Sequence, residues 1–251
     1  MALPKAEAKK LHEQPAQERR DVVRIELPPL ESGNRLTRDD FERRFDAMPN
    51  LKKAELIEGV VYVWPTVSFT LHAEPHACIV TFCVAYSTYT PGTDCSDGSH
   101  LRLDQNNMPQ PDVMLFLDEP PGAARIGDDG YVEGAPELIA EVATSSASYE
   151  SHDKLNAYQR NGVREYLVWR TFDGELDWFR LRGKKYTRVR PDDKGVIASS
   201  VFPGLRLNVK ALLAGNLKKV LAELQKGLKS KEHADFVKRL SQKSQRKPKR
   251  K

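Results

Sequence analysis

Apolar residues along this chain recur at two spacings, and the switches between them mark out the elements. Behind Leu36-Thr37, the run RDDFERRFDAM opens as a helix in which Thr37 and Asp40 form an N-terminal capping box, with Asp in place of the usual Glu; Pro49 ends it. ELIEGVVYVW is a Val-rich strand or hairpin arm, with Gly59 allowing the turn. After Pro75-His76, the apolar positions Ile79, Val80, Cys83 and Val84 predict a buried helix. Three strand candidates follow, SHLRLD, PDVMLFLD and PELIAEVA, and the last two are apolar enough to be buried on both faces. The polar stretch DEPPGAARIGDDGYVEGA connects them. SHDKLNAYQRNG reads as a helix stopped by Asn161-Gly162, and it feeds REYLVWR, GELDWFRLR and KKYTRVRP, a meander of period-two strands. The order from PELIAEVA to REYLVWR is a βαβ-like unit at the centre of a mixed sheet. The expected fold class is α/β, a mixed β-sheet flanked by helices on both faces, with an appended β-meander and flexible charged tails.

The ends differ from this body. Residues 1–34 are rich in charge and Pro, with one short apolar stretch from Val22 to Leu27, and are expected to form a flexible N-terminal arm. Near the other end, Leu217, Val220, Leu221, Leu224 and Leu228 give a helix that docks at its start and frays into SQKSQRKPKRK. The expected organisation is an arm at 1–34, a domain at 35–225 and a basic C-terminal tail at 226–251.

Composition adds little until it is divided. The net charge is +5, but residues 226–251 carry eleven Lys or Arg against Glu232 and Asp235, which leaves the rest with 29 basic and 33 acidic residues. The basicity is therefore a property of the tail, and a mildly acidic body would bind nucleic acid through a local site rather than through its overall field. With 39% hydrophobic and 30% charged residues, the chain is neither wholly disordered nor fibrous. No apolar run reaches the length of a membrane span and the N-terminus has no continuous apolar signal core, so a cytoplasmic protein with no membrane association is expected. Cys78, Cys83 and Cys95 fit neither a disulfide framework nor a zinc ribbon and are read as packing residues in a reducing compartment.

The chemistry is suggested by acidic residues in otherwise apolar strands. Asp112 opens PDVMLFL and Glu141 closes PELIAE; burying either carboxylate costs several kcal/mol unless it is paired or binds a metal. Taken singly, each has a plain alternative, Asp112 as a turn cap after Pro111 and Glu141 at an exposed strand end. Lys154 follows in the first turn of the next helix, and a crossover helix returns over the sheet toward the strand end bearing Glu141. Two carboxylates and a backbone carbonyl, that of Val142, suit a hard cation such as Mg²⁺. A lysine beside it could position the attacking water or stabilise charge on a phosphate. Tyr158 shares the helix face of Lys154 and reads as core; Gln159, Arg164 and His76 are weaker candidates, and His72 and His152 have no partner that can be named. Without a G-x-S-x-G elbow, the run Ser145, Ser146, Ser148 does not signal a serine hydrolase.

PDVMLFLD, GAPELIAEVATSS and DKLNAYQRNGVREYLVW, in that order, resemble the Uma-type "putative restriction endonuclease" family, a bacterial branch of the PD-(D/E)xK nucleases. The resemblance spans roughly Leu36 to Leu213, takes in LTRDDFERRF, AELIEGVVYVW and His76, and covers neither tail. It implies a restriction-endonuclease-like fold, Asp112 and Glu141 as metal-binding carboxylates and Lys154 as the catalytic lysine. Glu55 in AELIEG would add a carboxylate to the metal shell or hold the lysine, with a surface salt bridge as its alternative. Where the commonest superfamily pattern has a lysine two residues after the second acid, this chain has Ala143; the arrangement instead matches the Uma type, with the lysine on the following helix. Arg170 stands where the family usually ends its strand on an acid, outside the proposed site.

Two functions remain open from the sequence. One is a Mg²⁺-dependent endonuclease, with Mn²⁺ as a substitute ion, cleaving nucleic acid, DNA before RNA, with the basic tail adding affinity for the polyanion. The other is a catalytically inactive nucleic-acid-binding or interaction module on the same fold. A homodimer would let two sites cut two strands, although no residue of the chain specifies one.

Overall fold

The computed structural model describes residues 27–64, 68–118, 122–144 and 149–244. Along the chain, α1 (Arg38–Asp46) is capped by Thr37, whose hydroxyl accepts from the Asp40 backbone N–H at 3.4 Å. β1 (Ala54–Ile57) and β2 (Val60–Val63) form an antiparallel hairpin whose two turn residues, Glu58 and Gly59, both have positive φ. That conformation is what a two-residue turn matching the strand twist requires, and it suits Gly59 far better than Glu58. A π-helical turn at Phe69–Ala73 runs into α2 (Glu74–Thr88), and β3 (Thr93–Asp97) follows.

β4 (Leu101–Arg102), β6 (Arg125–Ile126) and β7 (Val132–Glu133) make a small separate sheet, while β5 (Val113–Leu117) and β8 (Leu138–Ala143) sit in the main one. After α3 (Tyr149–Asn161) come β9 (Glu165–Arg170), β10 (Glu175–Arg182) and β11 (Lys185–Arg188), then the short pair β12 (Val196–Ala198) and β13 (Arg206–Asn208). α4 (Val209–Leu213), α5 (Leu217–Leu228) and α6 (Lys231–Ser244) close the described chain.

The main sheet has the order β11-β10-β9-β8-β5-β3, with β8 and β9 parallel and the other pairs antiparallel. The expected mixed α/β architecture is therefore present, with the βαβ unit β8-α3-β9 at its centre. One face buries Leu115, Leu138, Ala140, Val142, Leu167 and Trp169 against Ile79 and Phe82 of α2 and Val220 and Leu224 of α5. The other buries Met114, Phe116, Ile139 and Val168 against Tyr158 of α3. Strands covered on both faces must be apolar throughout, which is why β5 and β8 lack the alternation of a half-exposed strand. A third cluster, with Phe41, Leu56, Val61, Met108 and Leu30, packs α1 and the β1-β2 hairpin together.

Several expectations are corrected. The meander is no appendage, since β9, β10 and β11 form half of the main sheet. SHLRLD contributes only the two residues of β4. TDCSD, not expected as a strand, is the edge strand β3, and β12 and β13 were likewise not anticipated. The C-terminal helix breaks in two after Leu228, and the boundary expected at 225 falls inside α5. α6 buries Phe236 and His233 and rests Leu240 against the core, so the charge-rich segment belongs to the packed body as far as Leu240. Leu30 is buried as well, so the described end of the arm is pinned at that residue, although its neighbours at 28, 29 and 31–33 are exposed. Residues 1–26 and 245–251, where most of the arm and the end of the tail were expected, lie outside the described residues. Among the described residues no helix is long and apolar enough to cross a membrane.

Candidate active site

The register of the central strands brings the two acids together. β5 pairs with β8 through Val113↔Ala140 and Leu115↔Leu138. Extended by one step, the same register sets Asp112 opposite Glu141, and side-chain alternation points both to the face covered by α3. The Val142 N–H donates to Asp112 Oδ2 at 2.8 Å, fixing the Asp112 carboxylate against the β8 backbone. From α3, Lys154 reaches Glu141 Oε1 at 3.0 Å and Glu55 Oε1 at 2.9 Å. Tyr158, one turn further along, donates to Glu141 Oε1 at 2.9 Å while packing edge-on against Tyr166, so it serves core and site at once. The helix begins two residues earlier than expected, at Tyr149, which moves Lys154 from its first turn into its second.

Glu55 comes from the fully buried strand β1 and is itself wholly buried. It accepts from the Trp64 indole N–H at 2.9 Å and from the Gln110 backbone N–H at 2.7 Å as well as from Lys154. Asp112, Glu141, Lys154 and Glu55 thus form one buried cluster, and the surface alternative for Glu55 does not hold.

Two further members join the cluster: Lys53, which the sequence did not single out, and His72, for which it named no partner. Lys53 places its ammonium 3.1 Å from Asp112 Oδ1. Its signal was the period-two spacing to Glu55 in KAE, which turns both side chains to one side of an extended chain. His72 donates from Nδ1 to the Val142 carbonyl at 3.0 Å and holds Nε2 3.6 Å from Asp112 Oδ1. It lies four residues before His76, and the two rings stack at 5.6 Å. His76 contacts the Asp112 carbonyl at 3.3 Å and the Asp97 carboxylate at 3.0 Å, so it borders the site from outside.

The remaining candidates lie elsewhere. The Gln159 side-chain oxygen accepts from the Tyr186 N–H, and Arg164 and His152 are exposed. Arg170 gathers Asp173, Glu175 and Asp177 at the β9-β10 hairpin. Ser145, Ser146 and Ser148 fall outside the described residues. Burial pushes the thiol of Cys83 well up and that of Cys95 up to about 12, as expected for packed, protonated cysteines.

The electrostatics of the cluster are uneven. Burial pushes Glu141 up to about 7; Lys154 offsets this in part, while Asp112 and Glu55 reinforce it. Burial also opposes ionisation of Glu55, but Lys154, Lys53 and the Gln110 N–H prevail and hold it below the usual carboxylate range. For Asp112 the same cost is overcome by Lys53, His72 and the Val142 N–H, and its carboxyl is held low. Lys53 is desolvated, yet the attraction of Asp112, Glu55 and Glu141 raises it. His72 is lowered by burial, against the pull of Asp112.

Three carboxylates thus face two ammonium groups, and Glu141 is the one left short of positive charge. Among the described residues no three His, Cys, Asp or Glu side chains converge into a ready-made metal cage. The donor set of Asp112, Glu141 and the Val142 carbonyl is nonetheless all oxygen and carries two carboxylates. Val142 N–H binding sets Asp112 beside that carbonyl, which suits a hard divalent cation.

A mixed sheet with acidic strand ends and a lysine on the crossover helix defines a nuclease-like α/β fold. It is shared with the crystal structure of "a putative nuclease belonging to DUF820" from Anabaena variabilis, at 12% identity and a TM-score of 0.53, over 69% of this chain and 97% of that one. The chain matches the Uma2 family, described as "Putative restriction endonuclease", over residues 38–210, well over half its length, and it belongs to that family. No curated protein matches it.

Proposed function

We propose that this protein is a divalent-cation-dependent endonuclease that hydrolyses phosphodiester bonds of nucleic acid, with DNA as the expected substrate and Mg²⁺, or Mn²⁺ in its place, as the ion. The observation that carries this reading is the convergence of Asp112, Glu141, Lys154 and Glu55 in one buried cluster at the strand ends. Asp112, Glu141 and the Val142 carbonyl would hold the cation, whose chemistry when bound is Lewis-acid stabilisation of charge on the phosphate.

The chain's own groups do the rest. Glu55 and Glu141 hold the Lys154 ammonium at a fixed place, where it orients an attacking water and offsets negative charge that develops at phosphorus. Tyr158 and the Val142 N–H keep the two carboxylates from turning away. Low exposure around Glu55 and Lys154 excludes bulk water and strengthens each of these interactions. Ala143 at the usual lysine position is no obstacle to this reading, because Lys154 brings an ammonium to the same carboxylate from the helix.

The test is nicking of supercoiled plasmid and cleavage of single-stranded DNA with Mg²⁺, Mn²⁺ or EDTA, comparing the unaltered protein with Asp112→Ala and Lys154→Ala. Metal-dependent cleavage that both substitutions abolish is the expected result. Absence of cleavage, or cleavage that survives both, would leave the inactive binding module as the better reading.

A further inference from the structure

Lys53 has no part in the reaction as derived so far, yet its ammonium covers Asp112 Oδ1, the oxygen not taken by the Val142 N–H bond to Oδ2 and faced at longer range, 3.6 Å, by His72 Nε2. Building on the cation-dependent reading above, we propose that Lys53 is a displaceable plug on the cation-binding carboxylate and, once displaced, the group that grips the substrate phosphate.

Three observations carry this. The first is position. The Lys53 side chain is 29% exposed, whereas Lys154 is 5% exposed and Asp112 is 4% exposed. Lys53 therefore stands at the mouth of the cluster and meets an incoming ion or phosphate before Lys154 does. The second is restraint. Lys154 is clamped between Glu55 and Glu141, both buried, so moving it would uncover two carboxylates. Among the described residues Lys53 makes one short ion pair, and its backbone is anchored where the Trp64 N–H donates to its carbonyl at 3.2 Å. Only the flexible four-carbon stem needs to swing.

The third is charge. A divalent cation on Asp112 would bring two positive charges next to an ammonium group, and the repulsion would drive Lys53 toward solvent. A phosphate arriving at the same mouth would offer it a new anion. Resting as a plug, Lys53 also compensates Asp112 when no ion is bound, which keeps a buried carboxylate from destabilising the ion-free protein.

A purely structural salt bridge predicts unchanged or weaker cation binding on substitution, so the proposal can be tested without turnover. Mg²⁺ and Mn²⁺ binding is measured by calorimetry on the full chain and on Lys53→Met and Lys53→Gln. Removal of the competing charge is expected to tighten cation binding about tenfold or more, in line with the effect of one close charge on a carboxylate. Affinity for a cleavage-resistant phosphorothioate duplex, measured in Ca²⁺, is expected to fall in the same variants, with the slope of log affinity against log salt reduced by about one.

Unchanged or weaker cation binding in the variants overturns the plug. Tighter cation binding with undiminished duplex affinity overturns the phosphate role. If neither the unaltered protein nor the variants bind a cation, the plug and the cation-dependent reading fall together, whereas normal binding by the unaltered protein with no change on substitution sinks the plug alone. Should both variants fail to fold, the Lys53 ammonium signal of ¹⁵N-lysine-labelled unaltered protein decides: it is expected to move when Mg²⁺ is added, and a signal that stays in place overturns the proposal.

Discussion

Glu141→Gln is expected to stabilise the ion-free protein at alkaline pH. Glu141 titrates at about 7 in the folded chain against 4.5 for an ordinary glutamate, because it is buried beside Asp112 and Glu55 with Lys154 as its main compensation. Between those two values the folded chain holds a proton that the unfolded chain has released. Stability therefore falls as pH rises across the window and levels off above it. At 1.36 kcal/mol per unit, the ionised carboxylate costs about 3 kcal/mol once both states are deprotonated. Glutamine mimics the protonated acid, and its side-chain oxygen still accepts from Lys154 and Tyr158 as Glu141 Oε1 does. Urea unfolding in EDTA at several pH values, with linear extrapolation, would measure the difference. The variant should match the unaltered protein near pH 5 and exceed it by about 3 kcal/mol near pH 8. Saturating Mg²⁺ should close the gap from the other side by stabilising only the ionised carboxylate. A variant no more stable at pH 8, or a difference that does not change with pH, would refute the account of Glu141 as the under-compensated member of the cluster.

Three further expectations concern the frame that holds the site. Glu165 is fully buried on β9 and accepts from Ser199, from the N–H and hydroxyl of Ser200, and from Arg180; Glu165→Ala should cost about 3 kcal/mol in chemical denaturation by removing the acceptor these donors share, with Arg180 keeping its bond to the Ala198 carbonyl. A Cβ at Gly227 would collide with the carbonyl oxygen of Gly204, so Gly227→Ala should cost about 1 to 3 kcal/mol by forcing α5 from β13, seen as a lowered Tm. Phe236→Ala should destabilise the whole domain by about 3 kcal/mol in one cooperative transition; a separate early transition of the C-terminal segment would show instead that α6 folds independently of the body.

Much of the fold could be read from periodicity because its central elements are strongly patterned. β5 and β8 announce themselves as apolar runs and α3 by its Asn161-Gly162 stop, and β9 and β10 by alternation. What escaped has a common cause. β3 reads TDCSD, too polar to suggest a strand, and it is held by its ladder to β5 from Thr93↔Leu117 to Asp97↔Val113 rather than by its own preference. The split between α5 and α6 is hidden because the charged, helix-compatible sequence runs on through it. Contacts that are non-local or invisible to periodicity make the break: Gly227 against Gly204, and the Ser230 hydroxyl accepting from the His233 N–H at 3.2 Å to start the new helix.

The site divides along the same line. Asp112 and Glu141 stood out because a carboxylate in an apolar strand demands a partner, and Lys154 followed from the path of a crossover helix. Lys53 sits in the charged string LKKAE, where a lysine looks solvated, and His72 lies in a stretch with no periodic signal, so neither carried a local mark of burial. Their partners are set by register rather than by neighbours in sequence. A one-residue slip of β8 against β5 would turn Glu141 to the face of α2 and leave Asp112 opposite Val142, while moving every apolar side chain of β8 to the other sheet face. The hydrophobic pattern of β5 and β8 therefore sets the two carboxylates opposite each other, and the lysines and His72 answer the charge that this pairing creates, in part for Glu141.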